Sequence, residues 1–343
     1  VEVNGPRQWS LPLNDASQVA EARRRAATLA EQLRFDETRG GALSIAVTEA
    51  ATNIVKHAQA GELVLRALNG GPPGVELLAL DRGPGIADLG QCLRDGYSTR
   101  GTSGTGLGSI QRQADEFDAH SLPGKGTALL ARFWASKPGR PAAGPRAALR
   151  VGAVCLPIRG EEAPGDDWDL QTLPAGSRLM VADGLGHGTL AAEAAAAAVA
   201  TLRENPGLPL PRLLEKMHNM LRATRGAVAA IAELDADNGV VRYAGIGNIS
   251  AVLWGPERSQ NLVSMNGTMG HSVTSVREFS YAWPKDGLLV VHSDGLSTRW
   301  DLELYPGLTS RDPSLVAGVL YRDFARGKDD VTVLVARRTE PSA

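Results

Sequence analysis

The chain has 343 residues and a formal charge of −2 at pH 7, from 36 basic and 38 acidic side chains. That length allows two domains of about 100–200 residues each, and the lack of a basic tract excludes nucleic acid as an expected partner. No apolar run approaches the roughly 20 residues of a membrane span, the start lacks a signal-peptide pattern, and Cys92 and Cys155 form no disulfide or metal spacing, so a cytoplasmic protein without membrane attachment is expected.

In chain order, an opening strand leads into helices over 16–33 and 40–58 and strands near 61–68 and 74–80. A glycine-rich loop, a helix near 106–117 and a strand over 127–134 follow. The Pro/Gly-rich run 136–145 defeats both regular structures, which sets expected domains at 1–135 and 148–338 with a linker at 136–147. Beyond it come strands near 150–158, 168–173 and 177–182, helices near 189–203 and 209–223, and several strands from 227 to 293. Asp237-Asn238-Gly239 marks a hairpin among those strands, and a helix near 313–325 and a strand over 331–337 close the chain. The Ala194–Ala198 run has helix propensity with little bulk, which suits a helix packed closely on a sheet.

Along the second helix Leu43, Val47, Ala50, Ile54 and Ala58 recur at helical spacing, while Glu49, Asn53 and His57 fall four apart on another face. A carboxylate one turn from an amide suits magnesium: the amide oxygen ligates the metal and the acid takes a proton. Asp81-Arg82-Gly83-Pro84-Gly85-Ile86 follows an apolar strand, and an Asp there can accept a hydrogen bond from an adenine amino group. Gly104-Thr105-Gly106-Leu107-Gly108 opens a helix, and Gly124-Lys125-Gly126-Thr127 precedes a strand. Glycines let backbone amides approach phosphate, and a helix N-terminus favours its charge.

Three acidic turns lie downstream: Asp183-Gly184-Leu185-Gly186-His187-Gly188, Ser293-Asp294-Gly295-Leu296 and Asp329-Asp330-Val331-Thr332, the first two ending apolar strands and the third opening one. Gly165-Asp166-Asp167-Trp168-Asp169 adds a fourth. One Asp-Gly pair alone would be a turn, but four such motifs can hold hard divalent cations, with Gly184 adding a carbonyl. Either Asp166 or Asp167 could be the ligand; Asp166, directly after Gly165, is preferred.

The first set of motifs, in this order, resembles the GHKL (Bergerat) ATP-binding fold over residues 1–135. With Asp95-Gly96-Tyr97-Ser98-Thr99 and Asp115-Glu116-Phe117 it looks most like the RsbT-type serine/threonine kinases of bacterial stress signalling. That resemblance implies ATP with Mg2+, Glu49 as general base, Asn53 as metal ligand and Asp81 as adenine contact, with Thr127 helping through water. Gly83, Gly85, Gly104, Gly106 and Gly108 would shape the phosphate pocket. His57, a lone helical histidine, is expected to be structural or peripheral. The second set resembles the metal-dependent protein phosphatases of the SpoIIE and RsbX branch. It implies two Mn2+ or Mg2+ held by Asp166, Asp183, Gly184, Asp294 and Asp329, with Asp183 between them, and hydrolysis of phosphoserine or phosphothreonine by metal-activated water.

The expected fold class is thus α+β in two domains, a GHKL α/β sandwich followed by a phosphatase αββα sandwich. The resemblance implies a STAS-domain phosphoprotein or stressosome component as partner and leaves a homodimer open. Two functions compete for the first domain: a kinase, favoured by Glu49 beside Asn53, or a nucleotide-sensing or partner-binding module that controls the phosphatase.

Overall fold

The computed structural model describes residues 3–4, 8–68, 72–93, 106–136, 149–174 and 176–338. The linker expected at 136–147 lies outside these residues after Ser136, as do the stretch 95–99 and Gly104. The chain forms two compact units, each discontinuous in sequence. Pro6–Ala143 with Asp301–Arg322 make one, and Val1–Gly5, Gly144–Trp300 and Asp323–Ala343 make the other. Among the described residues no helix is long and apolar enough to cross a membrane.

Short β1 (Val3–Asn4) belongs to the second unit. The first unit begins with β2 (Gln8–Leu13), α1 (Ala16–Gln32) and α2 (Glu37–Asn53). α1 starts where Asp15 accepts from the Ser17 N–H at 2.7 Å and Gln18 reaches back to the Asp15 N–H, a reciprocal cap. Asp36 caps α2 by accepting from the Arg39 N–H at 2.7 Å, so the helix begins before residue 40. Its small apolar face, Ala42, Leu43, Ala46, Val47, Ala50 and Ala51, is buried. From Ile54 to Ala58 the backbone widens into a π turn, and His57 leaves the α-helical spacing shared by Glu49 and Asn53.

β3 (Gly61–Leu68), β4 (Gly74–Asp81), α3 (Leu89–Cys92), α4 (Gly106–Gln113), β5 (Glu116–Ser121) and β6 (Thr127–Trp134) complete the run. The antiparallel sheet has the order β2-β3-β4-β6-β5. The helix expected to reach residue 117 stops at Gln113, because Glu116–Ser121 pair with β6 as an edge strand. The helix-facing core holds Leu63, Leu65, Leu77, Ala79, Leu129 and Phe133.

The second unit contains β7 (Leu149–Leu156), β8 (Asp166–Leu173), β9 (Gly176–Gly184), α5 (Thr189–Glu204) and α6 (Leu210–Met220). Strands β10 (Ala227–Asp235), β11 (Val240–Ile246), β12 (Ser250–Trp254) and β13 (Ser259–Asn261) follow. Then come β14 (Gly267–Thr268), β15 (Ser272–Val273), β16 (Phe279–Ala282), β17 (Leu288–His292) and β18 (Val331–Arg338), while α7 (Pro313–Phe324), which lies between the last two in sequence, groups with the first unit as far as Arg322. One sheet runs β1-β8-β9-β10-β11-β16 and the other β13-β12-β17-β18-β7. Trp168, Val181 and Tyr243 of the first meet Leu253, Val291 and Leu334 of the second in one buried cluster. On the outer face of the first sheet, Met180, Ala229 and Ile231 pack with Ala194, Ala198, Leu213 and Met217 of α5 and α6. The alanine-rich helix thus lies close on a sheet, as its small side chains require.

The stretch 301–322 covers the face of the first unit's sheet opposite α1 and α2. A methyl group on Gly318 of α7 would lie 3.1 Å from Leu80. β4 is therefore buried on both faces, and its sequence runs apolar without alternation. The one charge on its outer face, Glu76, is 1% exposed. It pairs with Arg66 at 2.7 Å and Arg132 at 2.8 Å and accepts from Ser314 Oγ at 2.9 Å. Arg132 also grips Asp312 through both terminal nitrogens, at 3.0 and 2.9 Å. Burial alone would raise the Glu76 carboxyl, but the two guanidiniums outweigh it and hold it below its ordinary value. Glu76→Ala removes the buried carboxylate that two buried guanidiniums share and should cost about 3–5 kcal/mol in chemical denaturation. In the wild type, Glu76 contributes stability above the unfolded carboxyl value of about 4.3 and loses it as pH falls through the lower folded value. A Glu76→Ala loss that stayed constant from neutral pH to below that range would remove this assignment.

Candidate functional site

In the first unit the turn between β4 and α3 and the β5–β6 hairpin meet around one carboxylate. Asp81 Oδ1 accepts from the Gly83 N–H at 2.7 Å and from the Thr127 N–H at 3.2 Å. Burial raises the Asp81 carboxyl against these donors. Ser121 Oγ accepts from the Ile86 N–H at 2.8 Å and lies 2.9 Å from Thr127 Oγ1. The glycines are there for space and for φ: at Gly85 (φ 72°) and Gly126 (φ 76°) a methyl group would sit 2.0 Å from the Leu122 and Asp81 carbonyl oxygens. Sequence reasoning named Gly85 but missed Gly126 and Ser121, although Gly126 stood in a quoted motif.

Glu49 and Asn53 meet at the start of α4. A methyl group on Gly106 would lie 3.2 Å from both Asn53 side-chain polar atoms and 3.5 Å from Glu49 Oε2. Bare backbone thus faces an amide and a carboxylate, a donor set that fits a magnesium-bound phosphate group. Gly108 is buried in α4, Gly83 abuts Ala58, and Gly104 is outside the described residues.

In the second unit, strand register brings the acidic motifs to one end of the two sheets. Asp166 and Asp183 are direct cross-strand partners in β8 and β9, so their side chains share a face. β8 starts at Asp166, earlier than expected, and alternation sends Asp167 to the opposite face. Asp183, Asp294 and Asp329 line a cavity of about 520 Å3 with Leu185, Gly186, Asn248 and Thr268 among its other walls. Asp166 is 3% exposed, behind that lining, and accepts from Ser293 Oγ at 2.6 Å. Ser293 Oγ in turn accepts from the Thr332 N–H at 2.9 Å. Gly184 is not part of the cavity wall; a methyl group there would lie 2.1 Å from the Ala191 carbonyl oxygen of α5.

The two aspartates of the last motif separate. Asp330 accepts from the Ile158 N–H at 2.7 Å and the Gly165 N–H at 2.8 Å, tying the loop before β8 to the start of β18. Asp329 faces the cavity. Asn248 Nδ2 donates to Asp294 Oδ2 at 2.8 Å, and His187 Nδ1 lies 2.8 Å from Glu161. Sequence reasoning missed the role of Ser293; the hydroxyl directly before an Asp-Gly turn was the available signal.

Burial, then the charges of Asp166, Asp294, Asp329 and Asp330, raise the Asp183 carboxyl far above its ordinary value. Burial raises Asp166 against its hydroxyl donors, and burial followed by Asp329 raises Asp294. Several carboxylates crowded at low dielectric favour a cation, which would reverse each of these shifts. Among the described residues no three acidic or imidazole side chains are already drawn together as a metal cage. The charge, oxygen donors and space nevertheless fit divalent metal, with Asp183, Asp294 and Asp329 to hold it.

The fold and these sites define a two-domain protein, an ATPase-type sandwich and a two-sheet unit with an acid-lined cavity. Residues 12–133 match the histidine kinase-like ATPase domain, and residues 174–339 match Stage II sporulation protein E (SpoIIE). Serine/threonine-protein kinase RsbT of Bacillus subtilis (strain 168) is 33% identical over 117 residues, 34% of this chain and 88% of RsbT. Phosphoserine phosphatase RsbX of the same organism is 24% identical over 139 residues, 40% of this chain and 70% of RsbX. A solved chain from work on the bacterial stressosome, as a modular system adapted to control secondary messenger signaling, is 30% identical with a TM-score of 0.52. It aligns with 55% of this chain and 99% of its own length. The chain belongs to the histidine kinase-like ATPase family of the RsbT type, joined here to a SpoIIE-type phosphatase domain.

Asp330→Ala should lower stability by about 1–3 kcal/mol, because it leaves buried backbone donors unpaired. Asp329→Asn should leave the denaturation midpoint unchanged and weaken Mn2+ binding measured by calorimetry. The reverse pattern would exchange the two roles.

Proposed function

We propose that the chain is a cytoplasmic signalling regulator whose second unit hydrolyses phosphoserine or phosphothreonine on a STAS-type partner. We propose further that its first unit binds ATP with Mg2+ and phosphorylates a partner of the same class. The observation that carries the phosphatase reading is the shared cavity wall of Asp183, Asp294 and Asp329. Bound Mn2+ or Mg2+ would supply an activated water and offset charge on the phosphoryl oxygens. The chain's own part is to present those carboxylates, to hold Asp294 through Asn248 and to keep Asp166 fixed through Ser293. The RsbX relative, a phosphoserine phosphatase, supports the same chemistry.

For the first unit, Glu49 beside Asn53 and Gly106 supports a base positioned near the end of a bound nucleotide. The RsbT relative, a serine/threonine kinase, supports transfer rather than mere sensing. Boundaries of 1–135 and 148–338 remain the proposed functional domains.

Asp183→Asn should abolish Mn2+-dependent release of phosphate from a phosphorylated STAS protein while the circular dichroism spectrum is unchanged; full activity in that variant would reject the site. Glu49→Ala should keep nucleotide binding and reduce transfer of labelled phosphate by about 100-fold or more, the range of general-base contributions. Transfer at the wild-type rate would leave the first unit a binding module.

A further inference from the structure

Beside the acid-lined cavity stands a cation that no carboxylate occupies. Arg225 is exposed, and among the described residues its guanidinium makes no hydrogen bond or ion pair. Its Nη1 lies 3.2 Å from where a methyl group on Gly186 would sit, and Gly186 is part of the cavity wall. The backbone beneath it is fixed. The Leu185 N–H donates to the Gly226 carbonyl oxygen at 3.0 Å, fastening the arginine's turn to the cavity's Leu185-Gly186 edge. His271 Nε2 lies 2.7 Å from the Arg225 carbonyl oxygen, and the Gly226 N–H donates to Thr224 Oγ1 at 3.0 Å. Gly226 itself (φ 82°) has no room for a side chain, since a methyl group there would lie 2.5 Å from the Met269 carbonyl oxygen.

Other basic side chains near the cavity are differently placed. His187 is already paired with Glu161. Arg326 lowers the Asp294 carboxyl, so its charge acts on a proposed metal ligand. Arg225 faces no acidic partner, and an unpaired guanidinium at the rim of a phosphate-ester site offers parallel N–H donors to a phosphoryl group.

We propose that Arg225 is the substrate-phosphate binding residue of the phosphatase unit, gripping the non-bridging phosphoryl oxygens of phosphoserine or phosphothreonine. This rests on the phosphatase reading above. Carboxylates cannot themselves attract a phosphate dianion, so a guanidinium beside the Gly186 edge would add direct N–H donors to the charge that bound metal supplies. Its role is to raise phosphate affinity and fix orientation; it takes no proton.

The test uses the full chain with Mn2+. Arg225→Ala, Arg225→Lys and, as control, exposed Arg222→Ala are compared for hydrolysis of a phosphoserine peptide, for inhibition by inorganic phosphate and for calorimetric binding of inorganic phosphate. Arg225→Ala should raise KM and the phosphate inhibition constant by about 10- to 100-fold, the range for hydrogen bonds to charged groups. Mn2+ affinity and thermal midpoint should not move, Arg225→Lys should recover part of the loss, and Arg222→Ala should match wild type. Phosphate affinity within twofold of wild type in Arg225→Ala overturns the proposal, even if peptide hydrolysis falls, since Arg225 would then contact the peptide. A wild-type protein that hydrolyses nothing with Mn2+ but binds phosphate through Arg225 would instead overturn the phosphatase reading and leave an anion site.

Discussion

The second unit is organised by one electrostatic constraint: several carboxylates must be buried at the same sheet end without driving the strands apart. An unpaired charge in a protein interior costs several kcal/mol even after relaxation. The structure divides the burden. Asp330 receives two backbone N–H groups, and Asp166 receives the Ser293 hydroxyl, which is itself oriented by the Thr332 N–H. These two are held by the protein. Asp183 and Asp329 receive less, and their charge is left directed at the cavity. A cation bound there would satisfy the charge that the polypeptide's own donors leave over.

Close backbone approach makes that arrangement possible. A methyl group at Gly165 would meet both Ala191 and the Asp330 carboxylate at 2.8 Å, and one at Gly184 would collide with the α5 backbone. The helix can therefore seat against the strand ends that carry Asp166 and Asp183. The first unit uses the same device around Asp81, where Gly85 and Gly126 bring two turns into backbone contact. In both units the side chain is placed by closely packed main chain, an arrangement that would let it meet a ligand without rearranging.

Much of this was legible in the sequence because it depends on local spacing. Glu49 and Asn53 sit one helical turn apart in any α-helix, and Asp-Gly after an apolar run marks a strand end. The class of both domains and the partition between ATP-type and phosphatase-type motifs followed from that. Other features depend on register or on distant partners. Asp166 and Asp167 are indistinguishable until the first residue of β8 is known, because alternation assigns opposite faces. The β5 strand was hidden behind a helical pattern that its pairing with β6 overrides. Apolar spacing in 313–325 announced a helix but could not say which sheet it covers.

That last helix bears on how Asp294 and Asp329 stay together. The chain between them includes 301–322, which groups with the first unit. Before leaving and after returning it is pinned: Leu296 bridges Ala325, the Ser297 N–H donates to the Phe324 carbonyl oxygen at 2.9 Å, and the Arg326 N–H donates to that of Gly295 at 2.8 Å. Below this neck, β17 and β18 pair from Leu288↔Arg337 to His292↔Val333. The separation of the two aspartates is thus set by sheet register and neck, not by the length of the excursion. Loop closure depends weakly on length, each doubling adding only about 0.6 kcal/mol. A chain can therefore extend such a loop to cover another hydrophobic sheet face while the carboxylates at its base keep their positions.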